Sequence, residues 1–191
     1  MNLIKIFLTA FLIDNIVLMK FLALCPFIGM STDVNKSIGM GLAVTFVTVL
    51  ATSVTYPLYY LVLVPFNLRF LQILVFILVI ASLVQLVEFF LKKNVPSLYA
   101  SMGIYLTLIT TNCAILGVTF NNISYKFNFI EALVYATGTA LGFMLALVLL
   151  AGIRDRLRSA PVPKFMQGTP VLFAATSLLA VAFMGFANLI K

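Results

Sequence analysis

The sequence predicts an all-α integral membrane protein with six transmembrane helices, arranged as two inverted three-helix repeats, the first helix of each repeat broken near a cysteine. Three observations lead there: charge is scarce, it is segregated, and the only two cysteines recur at matching places in the two halves. Of 191 residues, 63% are hydrophobic and 9% are charged, where a soluble domain carries roughly a quarter. No Asp, Glu, Lys or Arg occurs between Lys36 and Arg69, between Lys93 and Lys126, or between Lys164 and Lys191. Arg69 to Glu88 and Glu131 to Arg154 are shorter charge-free spans. A helix needs roughly 20 apolar residues to cross a hydrocarbon core of about 30 Å. No stretch alternates polar with apolar over ten residues, which excludes a membrane barrel.

The elements follow in order, near 3–30, 37–63, 69–91, 97–120, 129–152 and 168–190. Asp14 and Lys20 interrupt the first, and no small-residue cleavage site follows a clean apolar core, so it reads as a retained span and not a signal peptide. The second carries Gly39 and Gly41; the third ends at Lys92 and Lys93; the fourth holds Cys113. The fifth opens at Glu131, where a carboxylate suits the helix dipole, and contains Gly138-x-x-x-Gly142, a spacing that lets membrane helices approach closely. The sixth follows a loop of Arg154, Asp155, Arg156, Arg158, Pro161 and Pro163. No soluble domain or long linker is present, so the chain reads as one membrane domain over 1–191, repeat one about 1–95 and repeat two about 96–191.

The net charge of +7 is a topology signal and not a nucleic-acid footprint. Lys36, Lys92, Lys93, Arg154, Arg156, Arg158 and Lys164 fall on one side of six crossings, against Lys5, Arg69, Lys126 and Lys191 on the other. The positive-inside rule then puts loops near 31–36, 92–96 and 154–167 in the cytoplasm and both termini outside, in a prokaryotic inner membrane. Anionic lipid is the partner that the basic surplus implies.

An offset of 88 residues superimposes Cys25-Pro26-Phe27-Ile28-Gly29 on Cys113-Ala114-Ile115-Leu116-Gly117. Both read Cys-x-x-x-Gly, late in the first helix of their half. In inverted-repeat membrane proteins the functional site lies near the midplane, where such helices are discontinuous. Pro26 lacks an N–H and clashes with the preceding turn, and Gly29 adds backbone freedom. Thr110, Thr111 and Asn112 offer polar groups that can satisfy backbone exposed by a break. Both cysteines are then expected to face protein and not lipid. Inert buried thiols are the plain alternative, and a disulfide is disfavoured by the compartment. A metal centre is the third reading, but zinc and [2Fe–2S] clusters want four ligands and the chain has no His. Two cysteines make half a site, to be completed by a second copy or a related subunit.

The stretches Lys20-Phe-Leu-Ala-Leu-Cys-Pro-Phe-Ile-Gly-Met-Ser31, Ile109-Thr-Thr-Asn-Cys-Ala-Ile-Leu-Gly117, Leu150-Ala-Gly-Ile-Arg154, Pro161-Val-Pro163 and Ala182-Phe-Met-Gly-Phe186 closely resemble the A-type membrane component of the Rnf complex. The E-type component of the sodium-pumping NADH:quinone oxidoreductase shares much of the pattern. The resemblance implies a complex that moves electrons between ferredoxin and NAD and couples this to Na⁺ or H⁺ transport. It implies an A-type component paired with a homologous E-type one of opposite orientation, the pair holding one [2Fe–2S] cluster with two Cys from each. Here those ligands are Cys25 and Cys113, with half the cluster's ligands from this chain. Flavins, the NAD site and further Fe–S clusters belong to other Rnf subunits, and no flavin or NAD site is expected in this chain. The rival reading is a secondary transporter or ion-conducting protein with no cluster.

Coupling needs a polar path, and charges inside membranes are functional suspects. Asp14 and Lys20 are the deepest and form the possible ion path. Six residues apart on a helix, they do not face each other, so each is expected to have its own partner. The seven tyrosines mostly lie toward predicted helix ends, where interface anchoring accounts for them.

Overall fold

Proline, glycine and buried polar groups decide where the apolar stretches stop being helical. The computed structural model describes residues 3–65, 69–94, 109, 111–159, 161, 163 and 167–186, and all regular structure among them is helical. Helix α1 is Leu3–Ile13, its last five residues forming a π turn. It is followed by α2 Leu24–Met30 and α3 Val34–Leu63. Beyond a 3-10 turn at Arg69–Leu71 come α4 Gln72–Asn94, α5 Cys113–Ser124, α6 Phe129–Arg158 and α7 Thr169–Phe186. Pro57 lies inside α3, and the helix widens into a π turn at Tyr59–Leu63 directly after it, in keeping with a missing donor and a clash with the preceding turn.

Among the described residues three stretches, Val34–Leu63, Gln72–Phe89 and Phe129–Arg158, are long and apolar enough to cross a membrane, while Leu3–Ile13, Cys113–Ser124 and Thr169–Gly185 are shorter apolar helices. The expected first part of the helix near 97–120, and the end of the one near 168–190, lie outside the described residues. The fifth expected helix runs past 152 to Arg158, so its three arginines sit on helical turns and not in a loop. Nothing in Arg-Asp-Arg-Leu-Arg breaks a helix; the next strong breaker is Pro161.

The first expected helix is broken, but not by Pro26. The break spans residues 14–23, upstream of the cysteine. Pro26 sits in the first turn of α2, where backbone N–H groups have no intrahelical acceptor to lose. Gly29 lies inside α2 and does not open it. The chain instead turns through two non-glycine residues in the left-handed region, Phe21 at φ 54° and Ala23 at φ 62°. Such residues cost about 1–3 kcal/mol each and persist only where surrounding contacts over-determine them.

Helix α6 is the hub, packing on α1, α3, α5 and α7. Helix α3 lies along it with Gly41 against Met144. A Cβ on Gly138 would sit 3.0 Å from the Phe7 carbonyl oxygen, and one on Gly142 would sit 2.7 Å from that of Phe11. The expected close packing at this glycine pair is therefore real, and α1 is what it admits. Four buried threonine hydroxyls are satisfied within their own helices, Thr48, Thr55, Thr139 and Thr176 donating to carbonyls four residues back at 2.6–2.8 Å, while buried Thr52 Oγ1 has no partner among the described residues. Ile73, Leu74, Leu78 and Leu86 of α4 and Leu178, Val181 and Met184 of α7 face outward. In water such surfaces would be a liability; against acyl chains they are the solvent-matched face.

Gly142→Ala is expected to lower the stability of the purified protein by about 1–3 kcal/mol through overpacking. Gly152→Ala, at a position with open space around it, is expected to leave the melting temperature unchanged or raise it. Thermal unfolding in detergent checks both.

Candidate functional site

A non-helical segment inside an apolar core must find partners for its polar groups, and Asn15 supplies them. Its side chain is fully buried; Nδ2 donates to the Gly142 carbonyl at 2.9 Å and Oδ1 accepts from the Val17 backbone N–H at 3.2 Å. Beyond the break, α2 is held at its far end. Arg154 Nη1 donates to the Ile28 carbonyl (3.1 Å) and to Ser31 Oγ (3.3 Å), and Ser37 Oγ donates to the Met30 carbonyl (3.2 Å). A cation among the last carbonyls of a helix satisfies orphan acceptors and opposes the negative end of the dipole. The Phe27 ring packs on Phe143 of α6 at 6.5 Å. Cys25 is thus carried, exposed, on a short helix fixed at both ends.

Cys113 opens α5. Asn112 caps this helix, its Oδ1 accepting from the Ala114 N–H at 3.0 Å, so one of the expected polar residues does repair backbone. Thr111 is exposed, its carbonyl 3.9 Å from Cys113 Sγ; Thr110 lies outside the described residues. A cavity of about 330 Å³ is lined by Thr111, Asn112, Cys113 and Leu116 together with Ile77, Ile80 and Ala81 of α4. Into this wall is set an unusual group. Asn112 is 4% exposed, yet its Nδ2 has no hydrogen-bond partner among the described residues. The cap bond to Oδ1 fixes which way the amide points.

The two cysteine-bearing segments touch. A Cβ on Gly117, four residues past Cys113, would lie 3.0 Å from Leu22 Cδ1 and 3.1 Å from Ile16 Cδ1, both in the break that precedes Cys25. Each cysteine stands in the first turn of a helix, Cys25 after the irregular residues 14–23 and Cys113 after the non-helical Thr111 and Asn112. Both thiols are free and exposed on this chain. No group of three or more His, Cys, Asp or Glu gathers around either among the described residues.

Asp14 and Lys20 overturn a second expectation. They pair, with Nζ 3.5 Å from both carboxylate oxygens. Helical spacing predicted otherwise, but the chain between them is not helical, so the helical rule does not govern the pair. Tyr135 Oη also donates to Asp14 Oδ2 at 3.2 Å and accepts from Asn121 Nδ2 at 3.3 Å. Tyr135 is buried at 4% exposure, so interface anchoring does not describe it. The Glu131 expectation holds: its Oε2 accepts from the Asn128 backbone N–H at 3.0 Å in a capping box. Asn15, Tyr135, Asn121 and Arg154 went unrecognised in sequence, because their partners lie more than 120 residues away or on another element.

A family model described as "Rnf-Nqr subunit, membrane protein" matches residues 3–190. The chain belongs to the Rnf-Nqr family. Relatives within it are similar along their whole length. One, from Syntrophotalea carbinolica, is named as the A component of an ion-translocating oxidoreductase complex; it is 54% identical over 99% of this chain and 98% of its own. A second, from Acetobacterium woodii, is named as the A component of a Na⁺-translocating ferredoxin:NAD⁺ oxidoreductase complex and is 51% identical over 99% and 98%. A third, from Clostridium ljungdahlii, is named as the A component of a proton-translocating ferredoxin:NAD⁺ oxidoreductase complex and is 46% identical over 98% and 97%. For this Rnf-Nqr chain, Asn15→Leu is expected to cost about 1–3 kcal/mol, because it leaves the Val17 N–H without its buried acceptor. A lower detergent melting temperature and faster proteolysis within residues 14–23 check it.

Proposed function

We propose that this chain is the A-type membrane component of an Rnf ferredoxin:NAD oxidoreductase that translocates Na⁺ or H⁺. In this reading Cys25 and Cys113 supply two of the four ligands of a membrane [2Fe–2S] cluster, and a homologous E-type component supplies the other two. The observation that carries it is the pair of free, exposed thiols, each in the first turn of a helix, on segments that meet through Gly117 and Leu22. Two thiolates are half of the Cys₄ set such clusters use. Exposure is what a shared site requires, since buried thiols could not be reached by a partner.

The residues present fit the group in a second respect. The orphaned Asn112 amide, buried beside Cys113, is a donor with no acceptor among the described residues, as a nearby sulfur would require. When bound, such a cluster takes up and releases an electron midway across a core of about 30 Å. The protein's own part is positional. Arg154, Ser37 and Asn15 fix the Cys25 helix, Asn112 caps the Cys113 helix, and Ile77, Ile80 and Leu116 keep the adjoining cavity wall apolar. Flavins and the NAD site are assigned to other subunits.

The same reading takes the six spans as two inverted repeats. Support comes from the matching placement of the cysteines, each in the first turn of a helix that begins after non-helical residues, since inverted-repeat proteins bind substrates and ions at discontinuous helices. The reading puts the end of α6, and the α2–α3 turn its arginines hold, in the cytoplasm with both termini opposite, supported by the local excess of arginine.

Cys25→Ser or Cys113→Ser, copurified with the E-type partner, is expected to lose the [2Fe–2S] EPR signal and two iron atoms per pair. A transporter without a cluster would keep its flux in both variants, and finding that would overturn the proposal. Asn112→Ser keeps a capping oxygen and removes the amide donor. It is expected to retain the cluster at a lower midpoint potential, read by EPR redox titration.

A further inference from the structure

Two carboxylates near helix ends here have a local task. Asp33 pairs with Lys36 at 3.0 Å on the surface, and Glu131 completes a capping box. Asp14 has none. It ends the π turn of α1 with its backbone N–H bonded to the Thr9 carbonyl, while its side chain points to Tyr135 and Lys20. Those contacts are loose. At 3.2 and 3.5 Å they exceed the roughly 2.7–2.9 Å usual between charged partners, and carboxylate lone pairs remain to be filled. The side chains of Asp14 and Lys20 are 24% and 31% exposed, neither free in water nor sealed. Beside them lies a cavity of about 620 Å³, lined by Lys5, Thr9, Ile13, Asp14, Tyr125 and Tyr135. Tyr125 belongs to the α5–α6 turn, so the cavity reaches from that side of the protein to the carboxylate.

We propose that Asp14 is the loading point for the monovalent cation, Na⁺ or H⁺, entering from this vestibule, with Lys20 as a displaceable internal counter-ion. The inference rests on the reading of the chain as part of an ion-translocating complex. A cation arriving at Asp14 meets the Lys20 ammonium already there, and one half-buried carboxylate cannot hold both positive charges cheaply. Lys20 has a second seat close by, with Nζ 6.0 Å from the centre of the Tyr125 ring, a face that attracts cations. Tyr135, held by Asn121, presents an oxygen to an incoming Na⁺ or a donor to the carboxylate left behind. Lys20 also stands five residues before Cys25, across the turn through Phe21 and Ala23. Movement of its charge is therefore tied to the segment that carries a proposed cluster ligand, which is what coupling ion to electron needs.

The competing account is a structural staple, an ion pair that merely closes the break. The two differ in a double mutant. In proteoliposomes of the whole complex, ions moved per NADH formed from reduced ferredoxin are measured by radioactive Na⁺ uptake and by a pH-sensitive dye in sodium-free buffer. Asp14→Asn is expected to lower the ratio at least tenfold in whichever arm the wild type uses, and Asp14→Asn with Lys20→Met to stay equally low. A wild-type ratio in either the single or the double mutant would overturn the proposal, the double because removing both halves of a staple leaves nothing unpaired. Tyr135→Phe is expected to raise the half-saturating Na⁺ concentration, or in a proton-coupled complex to lower the H⁺ ratio, by at least threefold. No change there would overturn it even if Asp14→Asn fails to assemble. The EPR signal of the cluster is followed in parallel: its absence from wild-type complex sinks the cysteine assignment, while its presence with an unchanged ion ratio sinks this one.

Discussion

Inside a membrane, backbone that leaves the helix has no water to bond, and the whole site depends on how residues 14–23 meet that constraint. Asn15 meets it by reaching across to the Gly142 carbonyl while accepting from Val17. That bond requires α1 and the chain after it to lie almost on the backbone of α6, which glycine at 138 and 142 allows. Every feature of interest hangs from this junction. Cys25 opens a helix because the break ends just before it; Asp14 and Lys20 meet because the break lies between them.

Helix α6 serves as a reference rod for both parts of the site. Near its beginning, Tyr135 receives Asp14; in its middle, Gly142 receives Asn15; at its end, Arg154 holds the carbonyls that finish α2. Three contacts spread along one rigid element locate a seven-residue helix that could not be stable alone. The arginines that mark topology in the sequence therefore also fix the position of a cysteine.

The proposed cluster site and the proposed cation site lie at opposite ends of the same irregular segment. Asp14 is at its start and Cys25 just past its finish, with two left-handed residues between them. On the other half, Asn121, which bonds Tyr135, and Cys113 belong to one helix, α5, two turns apart. In each case a short stretch of chain joins a residue of the proposed cluster site to one of the proposed cation site.

Much of this was legible in the residues alone. Scarce, segregated charge demands lipid as a solvent, the Cys-x-x-x-Gly echo marks the two special segments, and the carboxylate of Glu131 suits the opening of a helix. These are local or compositional properties, and the chain carries them wherever it folds. Tertiary structure alone decided the rest. Pro26 looked like the breaker because a proline's cost is reckoned for a helix interior, yet it falls in a first turn, where that cost vanishes. Asp14 and Lys20 looked like strangers because the 3.6-residue period was applied across chain that is not helical. Tyr135 and Asn15 gave no signal, since their meaning lies in bonds to residues 121 and 127 positions away. Periodicity and composition speak for an element; which elements exchange their buried hydrogen bonds is settled only when the packed helices choose each other.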